Sequence, residues 1–332
     1  MQNAARLVAD ALRFPEGPVP LRDGSVLVVE MAAGCLTRIA PDGRKTRVAD
    51  LGGGPNGAAI APDGRCIVCN NGGSRWHERD GHLMPGLVSD SYDGGWIEAV
   101  DLATGAHEVL YRACGDIPLT GPNDIVFDRD GGFWFTDHGR LRRRTRDRGA
   151  VYYARPDGSL IREVVFPLDM PNGIGLSPDG RTLYVAETMT ARLWAFEVTG
   201  PGEVRRSRGD LLWQPGRLVV GLGGYNFFDS LAVDSSGDIY VATLPGQISV
   251  FSPAGELRRE IAVDDPIPTN IAFGGGNLRT AFITLSSSGR LIAMDNDVPG
   301  LEPAFSALDG APRPGLGDTR TTQQTKSNEE YP

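Results

Sequence analysis

Asn172-Gly-Ile-Gly-Leu-Ser-Pro-Asp-Gly180, followed at once by Thr182-Leu-Tyr-Val185, is the stretch on which the fold turns. A polar residue opens a short apolar run, a Pro-Asp-Gly turn reverses the chain, and a β-branched and aromatic run follows. This is the signature of an antiparallel strand pair. The same pattern stands at Glu16–Gly24, Asn56–Gly64, Asn123–Gly131 and Asp229–Gly237, each with its Gly eight residues after the opening polar residue. Asn270-Ile-Ala-Phe-Gly-Gly-Gly276 opens a sixth copy with an altered turn.

After each pair a third strand follows, as in Gly149-Ala-Val-Tyr-Tyr-Ala154 or Gln247-Ile-Ser-Val-Phe251. Turns such as Pro156-Asp-Gly158 then lead to a fourth. Four antiparallel strands per unit, with 40 to 67 residues between openings, describe a propeller blade. The expected fold is all-β: a six-bladed β-propeller over residues 1–301, followed by a loosely ordered tail at 302–332 rich in Pro, Gly, Thr, Gln and Glu. The segment Arg6-Leu-Val-Ala-Asp10 has no blade ahead of it, and the sixth unit runs out after its third strand near Met294. The N-terminal strand is therefore expected to complete the last blade and close the ring.

Composition narrows the function. The 332 residues carry a net charge of −9, which disfavours nucleic acid as a partner. The N-terminus MQNAARLVADALRFPEG lacks a basic region leading into a signal-length apolar run, and no stretch reaches bilayer length. A cytoplasmic protein acting on a small molecule, without a membrane partner, is the expectation. Cys66 and Cys69 form a C-x-x-C, but inside an apolar run and without a second Cys or His pair, so they read as core residues.

In a propeller the first strand of every blade lines the central channel. Glu16, Asn56, Asn123, Asn172, Asp229 and Asn270 open those strands and should form a ring at one mouth. Two carboxylates and several amide oxygens on one axis call for a hard divalent cation: Ca²⁺ first, with Mn²⁺ or Mg²⁺ as alternatives and Zn²⁺ less suited because the ring holds no His. Second strands return to the same mouth, bringing Asp137, His138 and Glu187 to its rim. Long insertions at 72–95 and 138–149 should lie over it, with Trp76 and His77 as further rim candidates and Arg142 to Arg144 as solvated surface.

Phe14-Pro-Glu16-Gly-Pro18, Gly121-Pro-Asn123-Asp124, Met170-Pro-Asn172-Gly-Ile-Gly175 and Phe228-Asp229-Ser-Leu-Ala-Val-Asp234 together resemble the gluconolactonase, regucalcin and luciferin-regenerating enzyme family. The resemblance covers about residues 10–296. It implies a metal-dependent carboxylic-ester hydrolase opening a small lactone, with metal ligands at Glu16, Asn172 and Asp229. Asn123 is implied as a ligand or substrate contact, and Asp229 as the catalytic carboxylate, either general base or nucleophile. Phosphoester hydrolysis, as in relatives similar to diisopropylfluorophosphatase, and a non-catalytic scaffold are the alternatives. At Gly121 the sequence departs from sugar-lactonase members, which carry Arg there, so the resemblance does not carry gluconolactone specificity over directly.

Overall fold

The computed structural model describes residues 5–205 and 215–306. Six sheets of antiparallel strands are arranged around a channel, and every first strand contacts the first strands of both neighbouring blades. The first blade runs through Pro15–Pro20, Val26–Glu30, Cys35–Ile39 and Lys45–Asp50. The second comprises Pro55–Ile60, Cys66–Asn70, Trp96–Val100 and His107–Tyr111, with a separate hairpin (Ser74–Arg79 and His82–Val88) between its second and third strands. Pro122–Phe127, Phe133–Asp137, Gly149–Ala154 and Ile161–Leu168 make the third. In the fourth, Pro171–Leu176 and Thr182–Glu187 precede the long third strand Arg192–Gly200, whose outer edge is shared by Glu203–Arg205 and Arg217–Gly221. Phe227–Val233, Ile239–Leu244, Gln247–Phe251 and Leu257–Ala262 form the fifth.

The sixth blade contributes Pro268–Gly274, Thr280–Leu285 and Arg290–Asp295, and Arg6–Ala9 supplies its fourth strand. Arg6 lies opposite Ala293 and Leu7 opposite Ile292. The ring is thus closed by the chain's own start, as the repeat requires, leaving no unpaired edge at the joint.

The core lies between the blades. Phe133, Trp134 and Phe135 are fully buried, and Phe135 stacks on Tyr152 at 5.2 Å. Burying each such ring stabilises the fold by roughly 2–3 kcal/mol. Cys66 and Cys69 are buried free thiols in this core, and burial pushes the Cys66 thiol up to about 12. Among the described residues no helix is long and apolar enough to cross a membrane.

Beyond the last blade, Leu301 donates its N–H to Val233 and Phe305 sits edge-on to Phe127 at 5.8 Å. The chain therefore crosses the face of the propeller that carries the Asp-Gly turns. Of the tail expected from residue 302, only 302–306 fall among the described residues.

Candidate active site

Each first strand breaks register with its second strand at or beside its ring residue: between Glu16 and Val19, Pro55 and Ala58, Pro122 and Ile125, Pro171 and Ile174, Phe228 and Leu231, and Pro268 and Asn270. A bulge frees its residue from strict alternation and re-aims the side chain. The bulge recurs at the equivalent place in all six blades, around the channel. The residue after the ring position is Gly in three blades because the neighbouring strand is in the way. A Cβ on Gly17 would stand 2.5 Å from Asn56 O, one on Gly57 would stand 2.4 Å from Asn123 O, and one on Gly173 would stand 2.7 Å from Asp229 O.

This crowding yields a prediction. Gly57→Ala is expected to cost about 1–3 kcal/mol of stability by overpacking and to displace Asn123. A melting temperature equal to that of the parent protein, with unchanged response to divalent cations, would refute it.

Within the ring, Glu16 Oε2 accepts from Gly17 N at 2.9 Å and from Asn270 Nδ2 at 3.0 Å. Asn172 Oδ1 accepts from Ser230 Oγ at 3.4 Å, while its Nδ2 donates to Thr188 Oγ1 at 3.1 Å. Thr136 Oγ1 donates to Asn172 O at 2.6 Å and accepts from Asp124 N at 3.1 Å, tying the third and fourth blades together beside the axis.

A third carboxylate stands inside the ring. Asp124 is buried, accepting from Ile125 N at 3.0 Å and Ile174 N at 3.3 Å. Burial pushes its carboxyl up to about 7, with repulsion from Glu16 adding to the effect. Glu16 is likewise pushed up to about 7, chiefly by burial. The Asp229 carboxyl rises well above its ordinary range through burial, then repulsion from Glu16 and Asp124, opposed by a hydrogen bond from Asn172. Among the described residues none of the three has a Lys, Arg or His ion-pair partner.

Asp124 belongs to the Gly121-Pro-Asn123-Asp124 motif, which by itself assigns it no role. The available signal was its position: an ionisable residue where three other blades carry Gly.

A divalent cation fits these residues. Among the described residues Asn56 Oδ1 and Asn123 Oδ1 are buried without any hydrogen-bond partner, which ordinarily costs about 1–3 kcal/mol each. Unpaired carboxylates and orphaned amide oxygens around one axis are the donor set of a hard ion. Among the described residues no three His, Cys, Asp or Glu group as a metal site by themselves, so amide oxygens must complete the coordination.

The rim candidates divide. His138 is close to the ring: Nε2 lies 3.3 Å from Thr188 Oγ1, the hydroxyl that also meets Asn172. Burial lowers its pKa to about 4, so the imidazole is neutral at physiological pH. Asp137 and Glu187, expected at the rim, instead brace turns. Asp137 accepts from Thr120 N, Thr120 Oγ1, Gly121 N and Gly139 N at 2.7–2.9 Å, and Glu187 accepts from Asp169 N and Thr190 Oγ1 at 2.7 and 2.6 Å. The reason is local: carboxylates at the ends of second strands sit beside loop N–H groups that have no ladder partner. Trp76 packs on Phe14 at 5.0 Å, whereas His77 is exposed on the hairpin's outer face, contrary to its expected place at the rim. The Arg run separates too. Arg140 is buried and donates to Gly73 O and, at 2.9 Å, to Ser74 Oγ, while Arg143 and Arg144 are exposed.

At Gly121 a Cβ would stand 2.7 Å from Gly139 O and 3.2 Å from Arg140 Cδ, so no side chain fits there without movement of the loop. Beneath the ring a cavity of about 390 Å³, lined by Val126, Leu176, Val233 and Phe273 among others, extends to the opposite face.

Fold and ring together define a six-bladed propeller with a buried carboxylate–amide cluster at one mouth of its channel. The chain belongs to the SMP-30/gluconolactonase/LRE-like family, whose model matches residues 14–287. It is 28% identical over 243 residues to the lactonase drp35 of Staphylococcus haemolyticus, a match covering 72% of this chain and 66% of the relative. It is 30% identical over 243 residues to the lactonase drp35 of Staphylococcus saprophyticus, covering 71% of this chain and 67% of that one. The match thus spans slightly less than two thirds of the length of the first of these relatives. The solved structure of regucalcin from Agrobacterium tumefaciens, described as a calcium-binding protein, superimposes with a TM-score of 0.69 at 20% identity, covering 91% of this chain and 97% of that one. A gluconolactonase from Xanthomonas campestris gives a TM-score of 0.65 at 23% identity, covering 89% and 90%. Both likenesses establish the fold.

Proposed function

We propose that this chain hydrolyses a small lactone, with one divalent cation held by Glu16, Asn123, Asn172 and Asp229. The observation that carries the reading is the buried Asn123 amide oxygen, which with that of neighbouring Asn56 has no hydrogen-bond partner among the described residues, beside three carboxylates that have no cationic partner among those residues. Family membership and the lactonase relatives support the choice of ester. When bound, the cation supplies Lewis-acid polarisation of the ester carbonyl and offsets developing charge on its oxygen; Ca²⁺ matches an oxygen-only donor set.

The chain's own groups do the rest. Asp229 is the half-buried member of the cluster and the one aligned by Asn172. It takes the proton of an attacking water and returns it to the ring oxygen as the acyl C–O bond breaks. Alternatively it adds to the carbonyl itself, expelling the ring oxygen, which takes up a proton from water, and leaving an acyl intermediate that a second water hydrolyses. Metal ligation lowers a carboxylate's basicity, and burial together with the neighbouring Glu16 and Asp124 acts in the opposite direction. The Asn123 side-chain amide positions the leaving ring oxygen. Neutral His138, linked to Asn172 through Thr188, holds the fourth-blade side of the mouth without adding charge.

The test is acid release from a panel of lactones, followed with a pH indicator after chelation and after separate addition of Ca²⁺, Mn²⁺, Mg²⁺ and Zn²⁺. Cation-dependent acid release is expected. No acid from any lactone with any cation, alongside turnover of a phosphotriester, would replace this reading with phosphoester hydrolysis; silence on both would leave a scaffold.

A further inference from the structure

In four of the other blades the second and third strands are joined by short turns, such as residues 31–34, 188–191 or 286–289, but in the second blade this link carries the hairpin Ser74–Arg79/His82–Val88. Asp80 and Gly81 at its tip both have positive φ (53° and 79°), the conformation of a tight two-residue hairpin turn. The hairpin does not stand free. It leaves the second blade, passes the first, and lands on the sixth, on the face of the propeller that carries the ring.

Both ends are fastened. At the base, Ser89 N donates to Gly73 O at 3.2 Å, and buried Arg140 of the third blade grips Gly73 O and Ser74 Oγ. At the tip, Leu83 N donates to Ser287 O at 2.8 Å, and His82 Nδ1 lies 2.8 Å from Ser287 Oγ. Ser287 spends its single hydroxyl hydrogen on Asp265 Oδ1 at 2.6 Å, so Nδ1 of His82 is the donor in the latch. Asp265 is itself anchored by Ile267 N at 2.7 Å and Ser288 N at 2.9 Å. Beneath the tip, Leu83 packs with Phe14, Met31 and Ile267, and Trp76 packs on Phe14, two residues from Glu16.

We propose that this hairpin is a fixed roof that limits the size of the group borne by the lactone ring, and that the His82–Ser287–Asp265 chain is the latch that holds it down. The proposal rests on the lactonase reading and names its specificity determinant. The roof restricts rather than attracts, because its inward apolar side chains, Trp76 and Leu83, are already spent on docking. Its outward face, with Arg75, His77 and Met84, is exposed to solvent. His82 and Ser287 are positioning residues; neither belongs to the ring.

Two readouts on the full chain test this. The first is limited trypsin cleavage after Arg79, followed by mass, which needs no activity. The second is kcat and KM for δ-valerolactone and for δ-lactones with progressively longer alkyl chains. In the double variant His82→Ala/Leu83→Asp, cleavage is expected to accelerate about tenfold, since a docked hairpin is cut only when it opens. Its preference for δ-valerolactone over the long-chain lactones should fall about tenfold through KM, with kcat on δ-valerolactone little changed. His82→Asn, which keeps a donor at the Nδ1 position, should retain both parent behaviours. Cleavage as slow as in the parent would overturn the latch. Faster cleavage with unchanged preference would overturn the roof while leaving the lactonase reading standing, whereas a parent protein inactive on every lactone would remove that reading and the specificity role together.

Discussion

Asp229→Asn is expected to lower kcat for lactone opening by about two to four orders of magnitude while leaving the propeller folded. The substitution is isosteric and keeps one oxygen on the ring, so the loss reports on the carboxylate's charge and basicity rather than on shape. It should also raise the stability of the chelated protein at pH 8. It removes one of three carboxylates, buried Glu16, buried Asp124 and half-buried Asp229, that repel one another and, among the described residues, have no cationic partner. Function and stability thus pull in opposite directions at this position, as expected where a site is strained for its task. Circular dichroism, melting with and without cation, and turnover on the best lactone check the result. Near-normal turnover with the cation still bound would sink the catalytic role. Single-turnover hydrolysis in ¹⁸O-water then tests the covalent route in the parent protein: label appearing in Asp229 marks a nucleophile, because a general base exchanges no oxygen with the water it activates.

The second large effect is on stability. Glu16 moves from an ordinary value of 4.5 to about 7 on folding, and Asp124 from 3.8 to about 7. Between about pH 4 and pH 7 the folded chain therefore holds protons that the unfolded chain has released. Stability falls with rising pH wherever the folded state binds more protons. The chelated protein is accordingly expected to lose melting temperature from pH 5 to pH 7 and to level off above. A divalent cation favours the charged carboxylates and should restore the loss, so the cation-induced rise should be larger at pH 8 than at pH 5. Scanning fluorimetry at pH 5, 6, 7 and 8, in chelator and in Ca²⁺, measures both. A chelated protein whose melting temperature stays flat or climbs across that range would show that these carboxyls are not held protonated by the fold.

The fold was legible in the sequence because a repeated unit is both a local and a global statement. The Asp-Gly turns at Gly24, Gly64, Gly131 and Gly180 set one hairpin each, and their spacing counts the blades. The closing strand was legible for the same reason, since Arg6–Ala9 precedes the first repeat and the sixth repeat supplies only three strands of its four-stranded sheet. Glu16, Asn123, Asn172 and Asp229 were found as equivalent positions in that repeat, with no knowledge of how far apart they lie.

What the sequence could not carry depends on contacts between blades. Asp124 entered the cluster only because the bulge at Pro122–Ile125 brings its carboxyl among neighbouring strands, where repulsion from Glu16 adds to the effect of burial. Asp137 and Glu187 left the rim because unpaired loop N–H groups claimed them. The link from His82 to Ser287 spans 205 residues and has no sequence pattern at all. Short-range periodicity and turn chemistry are properties of the chain alone, and they determined the blades and the ring of polar openings. Burial, charge proximity and docking are properties of strands brought together from opposite ends of the chain. Those decided which carboxylates face one another and where the hairpin lies.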